Sequence, residues 1–179
     1  MISLHQLNRE LISMSMIQFK HAELNDLPRI IEIYNSTISS RMVTADLDPI
    51  TPESRLPWFH EHNKTNRPLY VLLQDKIIVG WISFQSFYGR PAYHATAEVS
   101  IYLDEVCRGQ GVGQLALEKA INECPSLGIK NLLGFIFGHN LPSIRLFSKF
   151  GFEQWACLPD IAELDGVERD LIILGKRIE

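Results

Sequence analysis

The sequence predicts an α/β fold, in which a mixed β-sheet is flanked by helices. Short apolar stretches rich in β-branched and aromatic residues alternate along the chain with amphipathic helical stretches. One of these apolar stretches runs into a glycine-rich turn that opens a helix. The chain has 179 residues, enough for one full hydrophobic core. We therefore predict a single domain at residues 16–179, preceded by an N-terminal extension at residues 1–15.

The individual elements follow from hydrophobic periodicity and from turn residues. Strands are predicted at residues 17–22, 69–73, 77–84, 94–103 and 131–137, with two more within 152–178. Helices are predicted to begin near residues 26, 51, 112 and 140. Asp75-Lys76 and Asp165-Gly166 are the expected hairpin turns. The irregular segment at residues 36–49 is long enough to form a functional lid or a disordered link.

Composition and charge narrow the classes of function. The net charge is −4 and no basic run is present, which argues against a nucleic-acid partner. No apolar run approaches the roughly 20 residues of a membrane span, and the first fifteen residues lack the features of a signal peptide. Cys107, Cys124 and Cys157 have no metal-ligand spacing, so we expect reduced thiols, no metal ion and a cytoplasmic protein.

The turn after the predicted strand at residues 94–103 predicts a phosphate site. Gly109, Gly111 and Gly113 alternate there, just where a helix begins. Glycines at this spacing let the backbone curl so that consecutive N–H groups point inward, at a helix N-terminus that favours an anion. Arg108 adds a positive charge suited to a pyrophosphate. The pattern G-x-G-x-G, without Lys-Ser or Lys-Thr after it, matches neither a Walker loop nor a Rossmann fingerprint.

A second stretch, from Asn140 to Phe152, combines helix-capping residues with ligand-compatible ones. Asn140 can cap the helix and can also reach a ligand with its amide. Ser143 lies in the first turn, and Phe147 lies one helical turn beyond it. Gly151 suits a left-handed C-cap. Taken alone, this stretch is explained by a well-capped helix.

Together, the two stretches resemble the two acetyl-CoA motifs of the GNAT superfamily of N-acetyltransferases. The first is R-x-x-G-x-G, from Arg108 to Gly113, and the second is N-x-x-S-x-x-x-aromatic-x-x-x-G-F, one helix and one strand later. The resemblance implies the GNAT acyl-CoA N-acyltransferase fold, with acetyl-CoA as co-substrate. It also implies the residues that bind acetyl-CoA, which are Ile101, Tyr102, Leu103, Arg108, Gly109, Gln110, Gly111, Val112, Gly113, Gln114, Asn140, Ser143 and Phe147.

A narrower resemblance links the chain to the phosphinothricin acetyltransferase branch of that superfamily. It is carried by Arg90-Pro91-Ala92-Tyr93, by the stretch from Glu98 to Leu103 and by the stretch from Asn140 to Arg145. That branch acetylates the α-amino group of compounds such as phosphinothricin and methionine sulfoximine. The resemblance therefore implies a small-molecule amine as substrate. Members of the branch commonly form homodimers, so the resemblance also implies a homodimer.

The chemistry implied by the resemblance requires a base, because the amine arrives as an ammonium ion and must lose a proton. Glu98 interrupts an apolar strand just before the glycine turn, and its position looks like that of the catalytic glutamate of the branch. Partial burial there would raise its pKa toward a useful range. Segments expected to line the acceptor pocket contain Arg90, Tyr93, Thr44 and Arg41.

The phenylalanine at position 147 and the nature of the acceptor amine leave alternatives open. Many relatives carry a tyrosine or histidine as general acid at the position of Phe147, so here Tyr102, Tyr93 or a water would protonate the sulfur unless it leaves as a thiolate. Because Phe147 cannot act as a general acid, the protein could also be a sensor that binds acetyl-CoA without catalysing acetyl transfer. The acceptor could also be another amine, such as an aminoglycoside, a polyamine or a protein N-terminus.

Overall fold

A computed structural model describes residues 17–179, so the proposed extension at residues 1–15 lies outside the described residues. The strands in this part of the chain are β1 (Ile17–His21), β2 (Leu69–Gln74), β3 (Ile77–Ser86), β4 (Thr96–Leu103), β5 (Asn131–Phe137), β6 (Glu153–Leu164) and β7 (Val167–Arg177). The α-helices are α1 (Leu27–Ile38), α2 (Leu56–Glu61), α3 (Val112–Glu123) and α4 (Leu141–Lys149). This order confirms the predicted mixed α/β fold.

The strands form one mixed sheet in the order β1-β2-β3-β4-β5-β7-β6. Only β4 and β5 pair in parallel among the strands of residues 17–179, and α3 makes the crossover between them. The other neighbours pair antiparallel. Both predicted hairpin turns are confirmed, since Asp75, Lys76, Asp165 and Gly166 all have the positive φ of a type I′ turn.

The parallel pair β4–β5 separates along its length. Pairing covers only residues 96–98 of β4 and residues 131–133 of β5. Both strands nevertheless continue, to Leu103 and Phe137 respectively. The C-terminal halves of β4 and β5 therefore diverge and leave a wedge-shaped gap near the centre of the sheet. The candidate active site lies at this gap.

Helices cover both faces of the sheet. One core lies between the sheet and α3 with α4, and it includes Ala116, Leu117 and Ala120 of α3. The second core lies between the sheet and α1, and Trp81 of β3 packs there against Ile30. Helical spacing predicts Leu115, Ala116 and Ala120 on the buried face of α3. Ala116 and Ala120 are buried as predicted, but Leu115 is half-buried and Leu117 is fully buried instead.

Several element boundaries differ from the prediction. Helix α1 extends to Ile38, so the irregular segment begins at Ser39. Strand β4 begins at Thr96, because a 3₁₀ turn occupies the residues from Pro91 to Tyr93. No helix within residues 17–179 combines the length and apolar character needed to cross a membrane.

Candidate active site

The glycine turn between β4 and α3 exposes a run of backbone donors. Gly109 and Gly111 have φ values of 73° and 84°, in the left-handed region that glycine adopts without strain. Within residues 17–179, no hydrogen bond uses the N–H groups from Gly109 to Gly113. The N-cap of α3 has no side-chain hydrogen bond. These five consecutive N–H groups at a helix N-terminus can donate hydrogen bonds to an anion. This arrangement fits the diphosphate of acetyl-CoA.

Contacts around this turn hold its shape. The side chain of Asp104 accepts a hydrogen bond from the Val106 N–H at 3.0 Å and forms an ion pair with Arg29 of α1. These donors hold the pKa of Asp104 below its usual range. The Arg108 Nε donates to the Leu103 carbonyl at 3.2 Å, which leaves the exposed guanidinium beside the turn. The turn is thus braced by α1 while its own amides stay free.

Hydrogen bonds at both ends of β4 show which of its backbone N–H and C=O groups face β3 and which face β5. The Asp104 N–H donates to the Val79 carbonyl at 2.8 Å, and the Phe87 N–H donates to the Thr96 carbonyl at 3.4 Å. In an antiparallel pair, alternate residues exchange hydrogen bonds with the partner strand. The even-numbered residues of β4 therefore direct their backbone groups toward β3, and the odd-numbered residues direct theirs toward β5.

This alternation gives the wedge a polar wall. Beyond Glu98, β5 no longer pairs with β4. Ile101 and Leu103 therefore present their N–H groups to the gap rather than to a neighbouring strand. Main-chain donors in such a gap can pair with an extended amide-containing chain or with a developing oxyanion.

A cleft of about 530 Å³ follows the wedge and reaches the glycine turn. It is lined by most of the residues predicted to bind acetyl-CoA, namely Ile101, Tyr102, Leu103, Arg108, Gly109, Gly111, Gly113, Gln114, Asn140, Ser143 and Phe147. The two exceptions are Gln110, whose side chain donates to the Val106 carbonyl, and Val112, which is buried in the core. Their side chains do not line the cleft, although their N–H groups belong to the donor run.

The second predicted motif forms the opposite wall of the cleft. Asn140 caps α4 by accepting the Ser143 N–H at 3.2 Å, as expected. Its amide nitrogen donates to the Met42 carbonyl at 2.9 Å, so in this structure it fastens the segment after α1 rather than being free for a ligand. Phe147 packs against Phe152 and lies over Gly134 of β5, where a Cβ would come within 2.5 Å of its ring.

A smaller cavity of about 180 Å³ lies on the other face of the sheet, under α1 and α2. Its floor consists of side chains from the middle of β3 and β4, and its walls come from the helices. The lining residues are Ile31, Tyr34, Ile50, Arg55, Trp58, Trp81, Ser83, Gln85, Glu98, Ser100 and Tyr102. Ser100 and Tyr102 also line the larger cleft, so the two spaces meet at these residues.

Glu98 lies in the floor of this smaller cavity, half-buried and without a counterion. Its carboxylate forms no hydrogen bond or ion pair with any residue from 17 to 179. Burial alone raises the pKa of Glu98 above its usual value. A carboxylate in this state can accept a proton from an incoming ammonium group, because no protein cation competes for it.

Aromatic rings enclose most of the rest of the cavity. Trp81 and Tyr102 stack with ring centroids 4.4 Å apart, and Tyr34 lies 5.0 Å from Tyr102. Trp58 packs edge-on against Trp81, so it lines the cavity while contributing to the core. Burial and the nearby Asp46 raise the pKa of Tyr34 to about 12, and burial raises the pKa of Tyr102 further. Both phenols therefore stay protonated near neutral pH.

Arg55 provides the cavity's positive charge. Its Nη2 lies 2.9 Å from the Asp46 carboxylate, and its guanidinium lies 5.5 Å from the centre of the Tyr34 ring. Arg55 and Glu98 are the charged residues among those that line the cavity. A space with one cation, one anion and aromatic walls is complementary to a small zwitterion.

The residues predicted to bind the acceptor are not assembled around this cavity. Thr44 is buried beside it, where its Oγ1 forms a hydrogen bond with the Tyr34 hydroxyl. Arg41 forms an ion pair with Asp165 in the β6–β7 hairpin. These two side chains support the walls instead of lining the space.

Arg90 and Tyr93 line a different cavity, of about 350 Å³, together with Arg67 and His94. The reason lies in the register, because β3 and β4 remain paired as far as Ser86. The loop that carries Arg90 and Tyr93 therefore projects past the ends of the strands, whereas the smaller cavity with Glu98 lies over their middle. Within one chain, Arg90 and Tyr93 therefore do not line the cavity that contains Glu98, and their role in acceptor binding stays a prediction.

Sequence reasoning missed the residues of β3 and of the turn before α2 that complete the cavity. Trp81, Ser83 and Gln85 pair in register with Tyr102, Ser100 and Glu98 respectively. Alternation along β3 places these three on the face that carries Glu98. Once Glu98 was singled out, a two-residue count along the preceding hairpin strand could have identified them. Nothing local distinguished Arg55.

Comparison with known proteins agrees with this geometry. The family model described as Acetyltransferase (GNAT) family matches residues 28–152. A Bacillus subtilis (strain 168) protein provisionally named phosphinothricin acetyltransferase YwnH is 56% identical over 158 residues, covering 88% of this chain and 96% of that protein. The L-methionine sulfoximine/L-methionine sulfone acetyltransferase of Salmonella typhimurium is 24% identical over 160 residues, covering 89% of this chain and 94% of that protein.

A solved structure adds the bound co-substrate. The phosphinothricin acetyltransferase (Pat) from Sinorhizobium meliloti, in complex with acetyl-CoA, superposes with a TM-score of 0.85 at 25% identity, covering 91% of this chain and 89% of the other. The chain therefore belongs to the GNAT family and is an acetyl-CoA-dependent N-acetyltransferase. More narrowly, it is of the phosphinothricin and methionine sulfoximine acetyltransferase type.

Proposed function

We propose that this enzyme acetylates the α-amino group of a small zwitterionic acceptor, with Glu98 as the general base. The acceptor would be an amino-acid analogue of the phosphinothricin, methionine sulfoximine or methionine sulfone type. The observation that carries this proposal is the position of Glu98, an unpaired carboxylate in a cavity that meets the acetyl-CoA cleft at Ser100 and Tyr102.

The proposed reaction begins with proton transfer from the acceptor ammonium to Glu98, directly or through a water. The free amine then attacks the thioester carbonyl at the boundary between the two spaces. A free N–H in the second half of β4, such as that of Ile101, would stabilise the resulting oxyanion. The attack forms the bond from nitrogen to carbon, and collapse of the tetrahedral intermediate restores the carbonyl and breaks the bond from carbon to sulfur. The nitrogen loses its second proton in this step, and the departing sulfur takes up a proton, while Glu98 returns its own proton to solvent.

Protonation of the departing sulfur is proposed to involve Tyr102 or a water. Phe147 has no proton to donate, and Tyr93 lies in the separate cavity. Tyr102 lines both spaces, and burial raises its pKa, so the phenol is protonated near neutral pH but is a weaker acid than a free tyrosine. A thiolate is also a tolerable leaving group, so a weak acid or solvent suffices at this step.

Charge in the cavity favours an amino-acid acceptor over the alternative amines. A polyamine or an aminoglycoside carries several positive charges and would need several carboxylates. Here Glu98 is the acidic residue of the lining, and Asp46 is already paired with Arg55. Arg55 keeps further N–H donors that can bind an α-carboxylate.

The proposal is tested by measuring CoA release with a panel of acceptors, comparing each amino acid with its methyl ester. We expect wild type to acetylate the free acids of phosphinothricin, methionine sulfoximine or methionine sulfone in preference to polyamines. Arg55→Gln should raise KM for the free acid about 10-fold, because hydrogen bonds to a charged group contribute about 1.5–3 kcal/mol. It should change KM for the ester little. Preference for polyamines, or equal effects on acid and ester, would contradict the proposal.

Two further expectations from the resemblance stand as proposals, a homodimer and a cytoplasmic location. The edge strand β6 exposes Trp155, Leu158 and Ile161, an apolar surface that a second copy would cover. Sedimentation velocity at micromolar concentration would distinguish a monomer from a dimer.

A further inference from the structure

The acceptor cavity contains a buried polar atom that lacks a partner. Ser83 is 1% exposed, and its hydroxyl oxygen makes no hydrogen bond to any described residue. Its neighbour Trp81 differs, since the indole N–H donates to the Ile30 carbonyl at 3.1 Å. A buried hydroxyl without a partner destabilises a protein by about 1–3 kcal/mol. Such an atom in the lining of a cavity indicates a missing hydrogen-bond partner.

The register of the sheet sets the distance of Ser83 from the reacting centre. Ser83 is the cross-strand partner of Ser100, which lies where the cavity meets the acetyl-CoA cleft. The Cβ atoms of such partners are about 5 Å apart. The acceptor amine reacts near Ser100, so a group that contacts Ser83 lies about 5 Å further along the acceptor, on the side of β3.

A side-chain group four bonds from the amine spans this distance. At about 1.5 Å per bond and in an extended conformation, four bonds reach about 5 Å. In an α-amino acid that count leads from the nitrogen to the δ position, which is the sulfur of methionine sulfone. The α-carboxylate is too close to the amine to occupy the same place, and Arg55 offers it a charged partner.

We propose that the Ser83 hydroxyl binds a polar group at the δ position of the acceptor and thereby selects oxidised or phosphorus-containing side chains over apolar ones. This inference rests on the proposed function of the cavity. The hydroxyl donates to a sulfone, sulfoximine or phosphinate oxygen, which satisfies the buried atom when the acceptor is bound. A thioether sulfur is a weak acceptor and satisfies it poorly. Ser83 is thus a specificity-determining residue.

The test compares L-methionine with L-methionine sulfone, two acceptors that differ only in the two sulfone oxygens. We expect wild type to prefer the sulfone. Ser83→Ala should lower kcat/KM for the sulfone about 10-fold and change that for methionine less than about 2-fold, because a polar group left unpaired in a buried site is strongly disfavoured. Ser83→Thr, which retains the hydroxyl, should keep the wild-type preference.

Thermal unfolding separates this role from a structural one. Removing an unpartnered hydroxyl should leave the melting temperature of Ser83→Ala unchanged or raise it. Ser126→Ala is the matched control, since its exposed hydroxyl donates to the Glu123 carbonyl outside both cavities, and selectivity should not change.

The outcomes distinguish failure of the inference from failure of the proposed function. If wild type acetylates the sulfone and Ser83→Ala leaves the ratio of the two acceptors unchanged, the inference is overturned and the proposed function stands. An equal loss for both acceptors also overturns it. If wild type acetylates no amino-acid analogue, both are overturned.

Discussion

The acetyl-CoA cleft and the acceptor cavity share Ser100 and Tyr102, but they are built in different ways. The cleft relies on main-chain geometry: a glycine turn with free N–H groups, and a strand whose partner has separated from it. The acceptor cavity relies on side chains from β3, β4, α1, α2 and the segment before α2. We therefore expect donor binding to tolerate changes of side chain and acceptor choice to depend on a few individual residues.

The largest expected effect comes from removing the base in the acceptor cavity. Glu98→Gln should lower kcat at least about 10-fold, since general-base catalysis contributes about 10²–10⁴-fold. Affinity for acetyl-CoA should be unchanged, because Glu98 does not line the cleft. Steady-state kinetics and isothermal titration with acetyl-CoA measure the two quantities.

The exposed Glu118 of α3 gives a matched control, and Glu118→Gln should retain wild-type kinetics. An unchanged kcat in Glu98→Gln would remove Glu98 as base. A parallel loss of acetyl-CoA affinity would show that the two regions are less separate than the structure indicates.

A smaller effect, confined to the cleft, is expected from the glycine turn. Gly111→Val should weaken acetyl-CoA binding about 10-fold, because a β-branched residue is strained at φ 84° and its side chain would obstruct the donor run. At saturating acetyl-CoA, kcat should fall much less. Isothermal titration gives the affinity directly.

Gly128 provides the control, because it also has a positive φ, 69°, but lies outside the cleft. Gly128→Val should lower the melting temperature without weakening acetyl-CoA binding. Normal affinity in Gly111→Val would argue against the glycine turn as the diphosphate site.

The smallest expected effect is on stability and depends on pH. Burial raises the pKa of the Glu98 carboxyl in the folded protein above its value in the unfolded chain. The contribution of Glu98 to the free energy of unfolding is therefore fully present below the unfolded-state pKa, and it is lost as the pH rises through the folded-state pKa. Glutamine has no such loss. The melting temperature of Glu98→Gln should therefore exceed that of wild type near pH 8, and the difference should shrink toward pH 4.

Glu118→Gln, measured over the same pH range, corrects for the general effect of removing a carboxylate. A difference between Glu98→Gln and wild type that did not grow with pH would mean that Glu98 is solvated or paired. Its fitness as a base would then need another explanation.

Sequence reasoning succeeded wherever function depends on local backbone geometry. The alternating glycines from Gly109 to Gly113 and the cap at Asn140 are contiguous motifs, and the structure places them where the motifs indicate. It did not predict that Arg90 and Tyr93, which are near Glu98 in sequence, project past the ends of the strands and line a different cavity. The register of β3 against β4 decides this, and only the paired hairpin makes it visible.

By itself, the sequence determined the α/β order of elements, the glycine turn at a helix N-terminus and the candidate base, because each follows from residues adjacent in the chain. The tertiary structure alone decided which side chains surround that base. Arg55, Ser83 and Trp81 reach the cavity from segments up to 43 positions away from Glu98 in the sequence. Their meeting depends on strand register and on how α1 and α2 pack over the sheet, which are long-range properties that no local pattern encodes.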